Sequence, residues 1–264
     1  MVLSEFKINR YRKILLPLLI LLLLTYGSAK ICGADFSNFF QSFSRAMVFV
    51  FNMFPPDWSV FPDLIEPTIE TLLMALLGTL LGSLLSFLFA LLAAANISNK
   101  WVRVLSRIII SIERSIPELF ILLILVAAYG FGALPGIISL MIGCIGMLGK
   151  LLADTIEEID KTLLESMQSV GANKWQIIYW GVLPEILPNF ISYTLFRLEI
   201  NIRLSVLLGA VGAGGIGYEL EYSFNLLQYH RALDALLVIL LLVFLIERVS
   251  FYLREKIKAQ TVLK

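Results

Sequence analysis

The run Phe196-Arg-Leu-Glu-Ile-Asn-Ile-Arg203 sets Arg197, Glu199, Asn201 and Arg203 inside an otherwise apolar stretch. An arginine at the centre of a bilayer costs roughly 2.5–3.5 kcal/mol on insertion scales, so a partner or a function must hold it there. At helical spacing Glu199 and Arg203 form an i,i+4 pair on one face. Arg197 points about 120° away from Arg203 and shares its face with Asn201. All three charges therefore cannot face one path. Either at least one arginine lines a solute path, offering a planar donor fork to an oxyanion, or Glu199 and Arg203 form an ion pair that locks helices together.

Other residues that suggest chemistry fail on context. Gly212-Ala-Gly-Gly-Ile-Gly217 spells a dinucleotide fingerprint, but no strand–turn–helix unit surrounds it, and a glycine-rich turn at a membrane surface fits better. Gly149-Lys150 looks like the end of a phosphate loop, yet Cys144 stands where glycine is required and Leu151 where Ser or Thr is. His230 is the single histidine and Cys32 and Cys144 the only cysteines, so no metal or redox spacing arises. No catalytic set is visible within the apolar segments.

Composition says what must position these residues. The chain has 264 residues, 59% hydrophobic and 16% charged, against about 45–50% and 25% in soluble domains. That excess points to an integral membrane protein. A net charge of +1 leaves no basic field for nucleic acid. With about 20 apolar residues needed per crossing, six spans are expected: Ile14 to Ala29, Thr68 to Ala95, Ile108 to Tyr129 with a kink at Pro117, Pro135 to Leu152, Leu187 to Ala210 and Ala232 to Ile246. The first is short, and Gly27 and Ala29 also make a cleavage-like site of a signal peptide. Lys7, Arg10, Arg12 and Lys13, then Lys100, Arg103 and Arg107, then Lys150, Lys161 and Lys174, and finally Arg248 to Lys264 fall on one side. Both termini are accordingly expected in the cytoplasm. Between Lys30 and Glu66, Phe36, Phe40, Phe43, Met47 and Phe54 recur at helical spacing and suggest an interfacial helix. Gly78, Gly82, Ser86 and Ala90 repeat every four residues and offer a groove for close helix packing. Glu66, Glu70 and Asp234 are expected at headgroup level, and Glu113 and Arg114 at the cytoplasmic end of the third span.

The loop from Asp154 to Pro184 is amphipathic. Ile156, Ile159, Leu163, Met167 and Val170 lie three or four apart, Gly171 can end that helix, and Asn173 can cap a second one that stops before Pro184. A half-apolar element outside the bilayer needs a partner or the membrane surface to cover it.

This loop resembles the cytoplasmic "EAA" loop of ABC-importer permeases, written Glu-Ala-Ala, three residues, Gly, nine residues, Ile-x-Leu-Pro. Glu165, Gly171, Leu183 and Pro184 stand at the matching positions, while Ser166 and Met167 replace the alanines and Gly181 the isoleucine. Pro67 to Thr79, Arg114-Ser-Ile-Pro-Glu-Leu119, Ile145 to Lys150, Ile156 to Asp160, Phe196 to Arg203 and Gly212 to Gly217 look like the phosphonate-import branch, over roughly residues 65 to 250.

The resemblance implies an all-α integral membrane fold with six transmembrane helices, that of a type I importer permease with a cytoplasmic coupling helix. Residues 1–66 would form a tail, first span and outer loop, 67–252 the permease core, and 253–264 a basic tail. Glu165, Ser169, Gly171, Ala172, Trp175, Leu183 and Pro184 would meet an ATPase dimer, which carries the ATP and magnesium; this chain would hold no cofactor or metal and catalyse nothing itself. A periplasmic binding protein would deliver a phosphonate, phosphite or similar oxyanion at a bacterial inner membrane. A second copy of the chain is expected, because one six-helix chain is small for a two-sided path. An importer of another solute such as an amino acid, or a proton-coupled carrier, is the alternative.

Overall fold

The computed structural model describes residues 2–33 and 39–262, with side chains described for 13–33 and 42–257. Phe36 and Lys264 therefore lie outside the described residues, as do the side chains of Lys7, Arg10, Arg12, Phe40 and Lys258. All regular structure among the described residues is helical.

The chain divides into two units, residues 1–54 and 55–264. The first holds α1 (Val2–Ile31) and α2 (Phe39–Asn52). Lys13–Ile31 of α1 has a mean hydropathy of 2.1 and meets the length and composition of a crossing. Helix α2 carries Phe43 and Met47, where an interfacial helix is expected, and Phe54 follows its end.

The second unit begins at Pro55, and the segment before α3 (Phe61–Ala93) binds α11 (Tyr229–Val262). The Asp57 N–H donates to Asp234 Oδ2 at 3.2 Å, and His230 Nδ1 lies 2.9 Å from the Pro55 carbonyl. Asp234 is fully buried by this arrangement.

Helix α3 packs along α6 (Ala133–Glu157). The small-residue stripe makes this possible: a Cβ on Gly78 would lie 2.7 Å from Leu140 Cβ, and one on Gly82 2.6 Å from Cys144 Cβ. In lipid, where apolar burial between helices contributes little, such close backbone approach supplies the packing energy. Leu148, Leu152 and Ile156 on α6 are fully buried in the core this creates.

The third expected span is broken rather than kinked. Helix α4 (Lys100–Ser115) stops before Pro117, and α5 (Glu118–Tyr129) starts after it. Ile116 and Pro117 are extended, with ψ of 120° and 133°. A proline drives its predecessor out of the helical region and donates no N–H of its own. The five-charge helix α4 and the 12-residue α5 are thus separate elements.

Helix α6 ends at Glu157, and Asp160 caps a new helix, α7 (Lys161–Ser169), by accepting the Thr162 N–H at 2.9 Å. The expected helix over Ile156 to Val170 is therefore two, since the Asp160 cap offers the backbone a better start than continuation. Gly171 turns the chain with φ of 84°, and Asn173 and Gln176 form a reciprocal capping box on α8 (Lys174–Gln176). The expected stop before Pro184 does not occur. A π-helical turn over Ile177–Val182 leads directly into α9 (Leu183–Leu208), and Pro184 falls at the junction between the two.

Helix α9 ends in a second π-helical turn, Gly209–Ala213, and the chain bends 56° into α10 (Gly215–Asn225). Four described helices are long and apolar enough to cross a membrane, or five when that bent pair is one crossing. With α5 these are the six apolar segments expected.

Candidate functional site

The charges of α9 separate onto two sides of the helix. Arg197 is 4% exposed, and its Nη2 donates to Glu118 Oε1 at 2.6 Å. Its Nη1 lies 3.7 Å from the Met147 sulfur. Arg197 Nε and Glu118 Oε2 are buried without a hydrogen-bond partner among the described residues. Both side chains line a cavity of about 410 Å³, together with Glu113, Arg114, Met147 and Leu208.

Local structure explains how four charged residues gather there. The break at Pro117 puts Glu118 in the first turn of α5, where the free N–H groups of a helix start favour a carboxylate. The Ser139 hydroxyl donates to the Glu118 carbonyl at 3.0 Å and ties that turn to α6. Two glycines of α6 then leave room for the side chains. A Cβ on Gly143 would lie 2.6 Å from Glu118 Cδ and 2.7 Å from Arg197 Nη2, and a Cβ on Gly146 would overlap the Glu113 carboxylate.

Asn201 also faces α6 but is sealed in. It is fully buried and donates to Thr79 Oγ1 at 2.9 Å and towards Cys144 Sγ at 3.4 Å. Glu199 and Arg203 point elsewhere. Glu199 Oε1 accepts from Arg203 at 2.8 Å and Oε2 from Arg254 at 3.2 Å, while Arg203 also reaches Glu247 at 3.3 Å. The Arg254 guanidinium lies 5.6 Å from the Phe196 ring centre. These four charges join α9 to α11.

Glu113, Glu118, Gly143 and Gly146 are absent from the sequence-derived site. The signal for Glu118 was available: an arginine inside one apolar segment calls for a carboxylate inside another, and Glu118 directly follows a proline in one.

The glycine run 212–217 shapes the α9–α10 bend. Gly212, Gly214 and Gly215 have φ of 115°, 88° and 72°. Glu70 Oε2 accepts the Gly215 N–H and Thr71 Oγ1 the Ile216 N–H, each at 2.9 Å. Helix α3 thus satisfies the start of α10, and Glu70 serves this cap.

At the α7–α8 turn, Glu165, Ser169, Gly171 and Trp175 are exposed, as is Pro184, while Ala172 and Leu183 are half-buried. Trp175 is 77% exposed, and Tyr179 and Trp180 form an exposed edge-to-face pair with ring centres 4.9 Å apart. Of the expected apolar face, Ile156 and Ile159 are buried and Met167 packs on the core, while Val170 stays exposed. Met167 and Gly181, both departures from the EAA pattern, face each other: a Cβ on Gly181 would lie 2.7 Å from the Met167 sulfur. The larger residue at one position is accommodated by the smaller one at the other.

Residues 86–259 match the family described as binding-protein-dependent transport system inner membrane component. The chain belongs to that family; it is the membrane-spanning permease component of a transport system, in the inner membrane. It is 40% identical over 205 residues to the phosphite transport system permease protein PtxC of Stutzerimonas stutzeri, covering 77% of this chain and 74% of that one. It is also 40% identical over 210 residues to the phosphate-import permease protein PhnE of Mycolicibacterium smegmatis, covering 78% of this chain and 39% of that longer one. Among solved structures it resembles an inward-facing MetNI methionine ABC transporter chain, with a TM-score of 0.67, 23% identity, and 76% and 99% of the two chains covered. That likeness establishes the type I importer permease fold.

Proposed function

We propose that this permease carries phosphite, a phosphonate or a related phosphorus oxyanion inward, and that Arg197 meets the solute on its path. The observation that carries this reading is a buried arginine on a cavity of about 410 Å³, with one guanidinium N–H still unpaired. A planar donor fork matches phosphoryl oxygens. The 40% identity to a phosphite permease supports the same solute class. Glu199 and Arg203, engaged with α11, act as a structural lock between helices.

Transport is driven by ATP and magnesium on a separate ATPase dimer. The ATPase docks at about Leu163 to Trp180, where the exposed aromatic residues and the capped α7–α8 turn form a stiff knob. Such a knob transmits a rigid-body motion to the bundle. A periplasmic binding protein delivers solute from the opposite side, and two copies of the chain enclose the path about a two-fold axis. Both termini lie in the cytoplasm, a reading that the basic flanks support.

Uptake of labelled phosphite, methylphosphonate, phosphate and methionine by cells making the importer with its partners tests the reading. Saturable, ATP-dependent uptake of a phosphorus oxyanion, lost in Arg197→Gln, is the expected result. Methionine uptake without oxyanion uptake would overturn the solute class. Disulfide trapping of single-cysteine variants at the two-fold axis tests for the second copy.

A further inference from the structure

Glu118 and Arg197 form an ion pair of an unusual kind. The contact is single: one carboxylate oxygen takes one guanidinium nitrogen, although the fork of arginine and the two oxygens of a carboxylate can meet at two points. Each partner keeps a buried, unpartnered atom, Arg197 Nε and Glu118 Oε2. An unmade hydrogen bond on a buried charged group is expensive, so the pair is not at its energetic optimum. By contrast, Glu199 uses both oxygens in the network with α11.

The surroundings allow the pair to open. The cavity of about 410 Å³ adjoins both side chains, a size at the small end of ligand pockets. Beneath them lies Gly143, whose lack of a Cβ leaves the pair resting against bare backbone. The Glu118 backbone is fixed by Ser139 and by its place in the first turn of α5, so movement falls to the carboxylate arm.

Resting on the permease reading above, we propose that Glu118 is an internal counter-anion that occupies Arg197 when no solute is present, and that an entering phosphorus oxyanion displaces it. The incoming oxygens take Nη2, which Glu118 vacates, together with Nε, which the single carboxylate contact leaves unsatisfied. Glu118 swings off into the cavity, whose lining carries the Arg114 guanidinium as well as the Glu113 carboxylate. No covalent bond changes. The carboxylate then sets specificity: an anion must bind the fork better than Glu118 does, and a weakly coordinating monoanion such as chloride fails to displace it. When the solute leaves, Glu118 returns, which keeps the site weak enough to release its cargo.

The test is phosphite binding to the purified, lipid-reconstituted importer, by titration calorimetry, with uptake measured in parallel. Removing the competitor in Glu118→Gln tightens phosphite binding about tenfold or more, the size of ordinary coupling between mutually exclusive ligands. Glu118→Met, of similar length and without charge, shifts affinity in the same direction, and Arg197→Gln abolishes binding. Unchanged or weaker affinity in folded Glu118→Gln and Glu118→Met overturns the displacement step. So does collapse of both chains, which would mark the pair as a structural bridge. If the wild-type importer takes up no phosphorus oxyanion at all, the solute class fails instead. Wild-type uptake with an unaltered Glu118→Gln affinity sinks only the role of Glu118.

Discussion

Arg197 and Arg203 lie on one helix and meet opposite surroundings. Arg197 is buried against a single carboxylate, so Arg197→Gln strands Glu118, at a cost of about 3–5 kcal/mol for an unpaired buried charge. The double variant Arg197→Gln/Glu118→Gln removes both charges; thermal melting should recover most of that loss while uptake stays absent. Arg203 has a side chain 45% exposed, and exposed ion pairs contribute about 1 kcal/mol or less, so Arg203→Gln should keep most uptake. Equal loss of uptake in the two arginine variants would count against the different roles given to them. Asp160 makes the start of α7 sensitive to pH. The Thr162 backbone N–H, with its hydroxyl next, holds the Asp160 carboxyl below its ordinary value of 3.8. A lowered folded value means that the cap's contribution is complete above the ordinary value and disappears as pH falls through the lowered one. Hydrogen exchange in α7 should therefore speed up at strongly acid pH in the wild type. Asp160→Asn, which caps without titrating, should show no such step.

At the scale of elements, the Met167–Gly181 contact is the most specific finding. Gly181→Ile restores the residue of the EAA pattern but drives a branched side chain into the Met167 sulfur. Overpacking of this kind costs about 1–3 kcal/mol. Met167→Ala alone opens a gap. The two together should be more stable than the sum of the single changes by about 1 kcal/mol or more, the coupling of residues in contact. Co-purification of the ATPase with each variant reports whether the knob keeps its shape. Additive single effects would show that the two residues do not share their space. The Pro117 break works in the same way: by ending one helix and starting another it creates the helix start that carries Glu118, which a continuous kinked span would not offer.

For the molecule as a whole, the ion network of Glu199, Arg203, Glu247 and Arg254 joins α9 to α11, while the Glu70 and Thr71 caps join α3 to α10. These links tie α9 and α10 to their neighbours, so the helices move as packed bodies rather than loose ones. Glu199→Ala leaves Arg254 and Arg203 without their shared acceptor and should lower stability by roughly 1.5–3 kcal/mol, the range for hydrogen bonds to charged groups. The melting temperature of the reconstituted chain measures this. Phosphite affinity should not change, because the network lies away from the cavity; a large affinity loss would place Glu199 on the path.

The amino-acid sequence by itself determined the membrane class, the places of the apolar segments and the glycine and serine groove of α3. Each rests on local periodicity or composition, which a linear reading captures; the Glu165, Gly171, Leu183 and Pro184 anchors rest instead on resemblance to a family motif. It also showed that Arg197 and Arg203 cannot share a face, because helical geometry alone decides that. Partners across the bundle were decided only by the tertiary structure. Whether Arg197 meets Glu118 or Glu199 meets Arg254 depends on how helices distant in the chain pack. The bare backbones of Gly143 and Gly146 have meaning only against the side chains that fill their space. Buried Asp234 was illegible for the same reason: the Asp57 N–H that meets it lies far away in the chain.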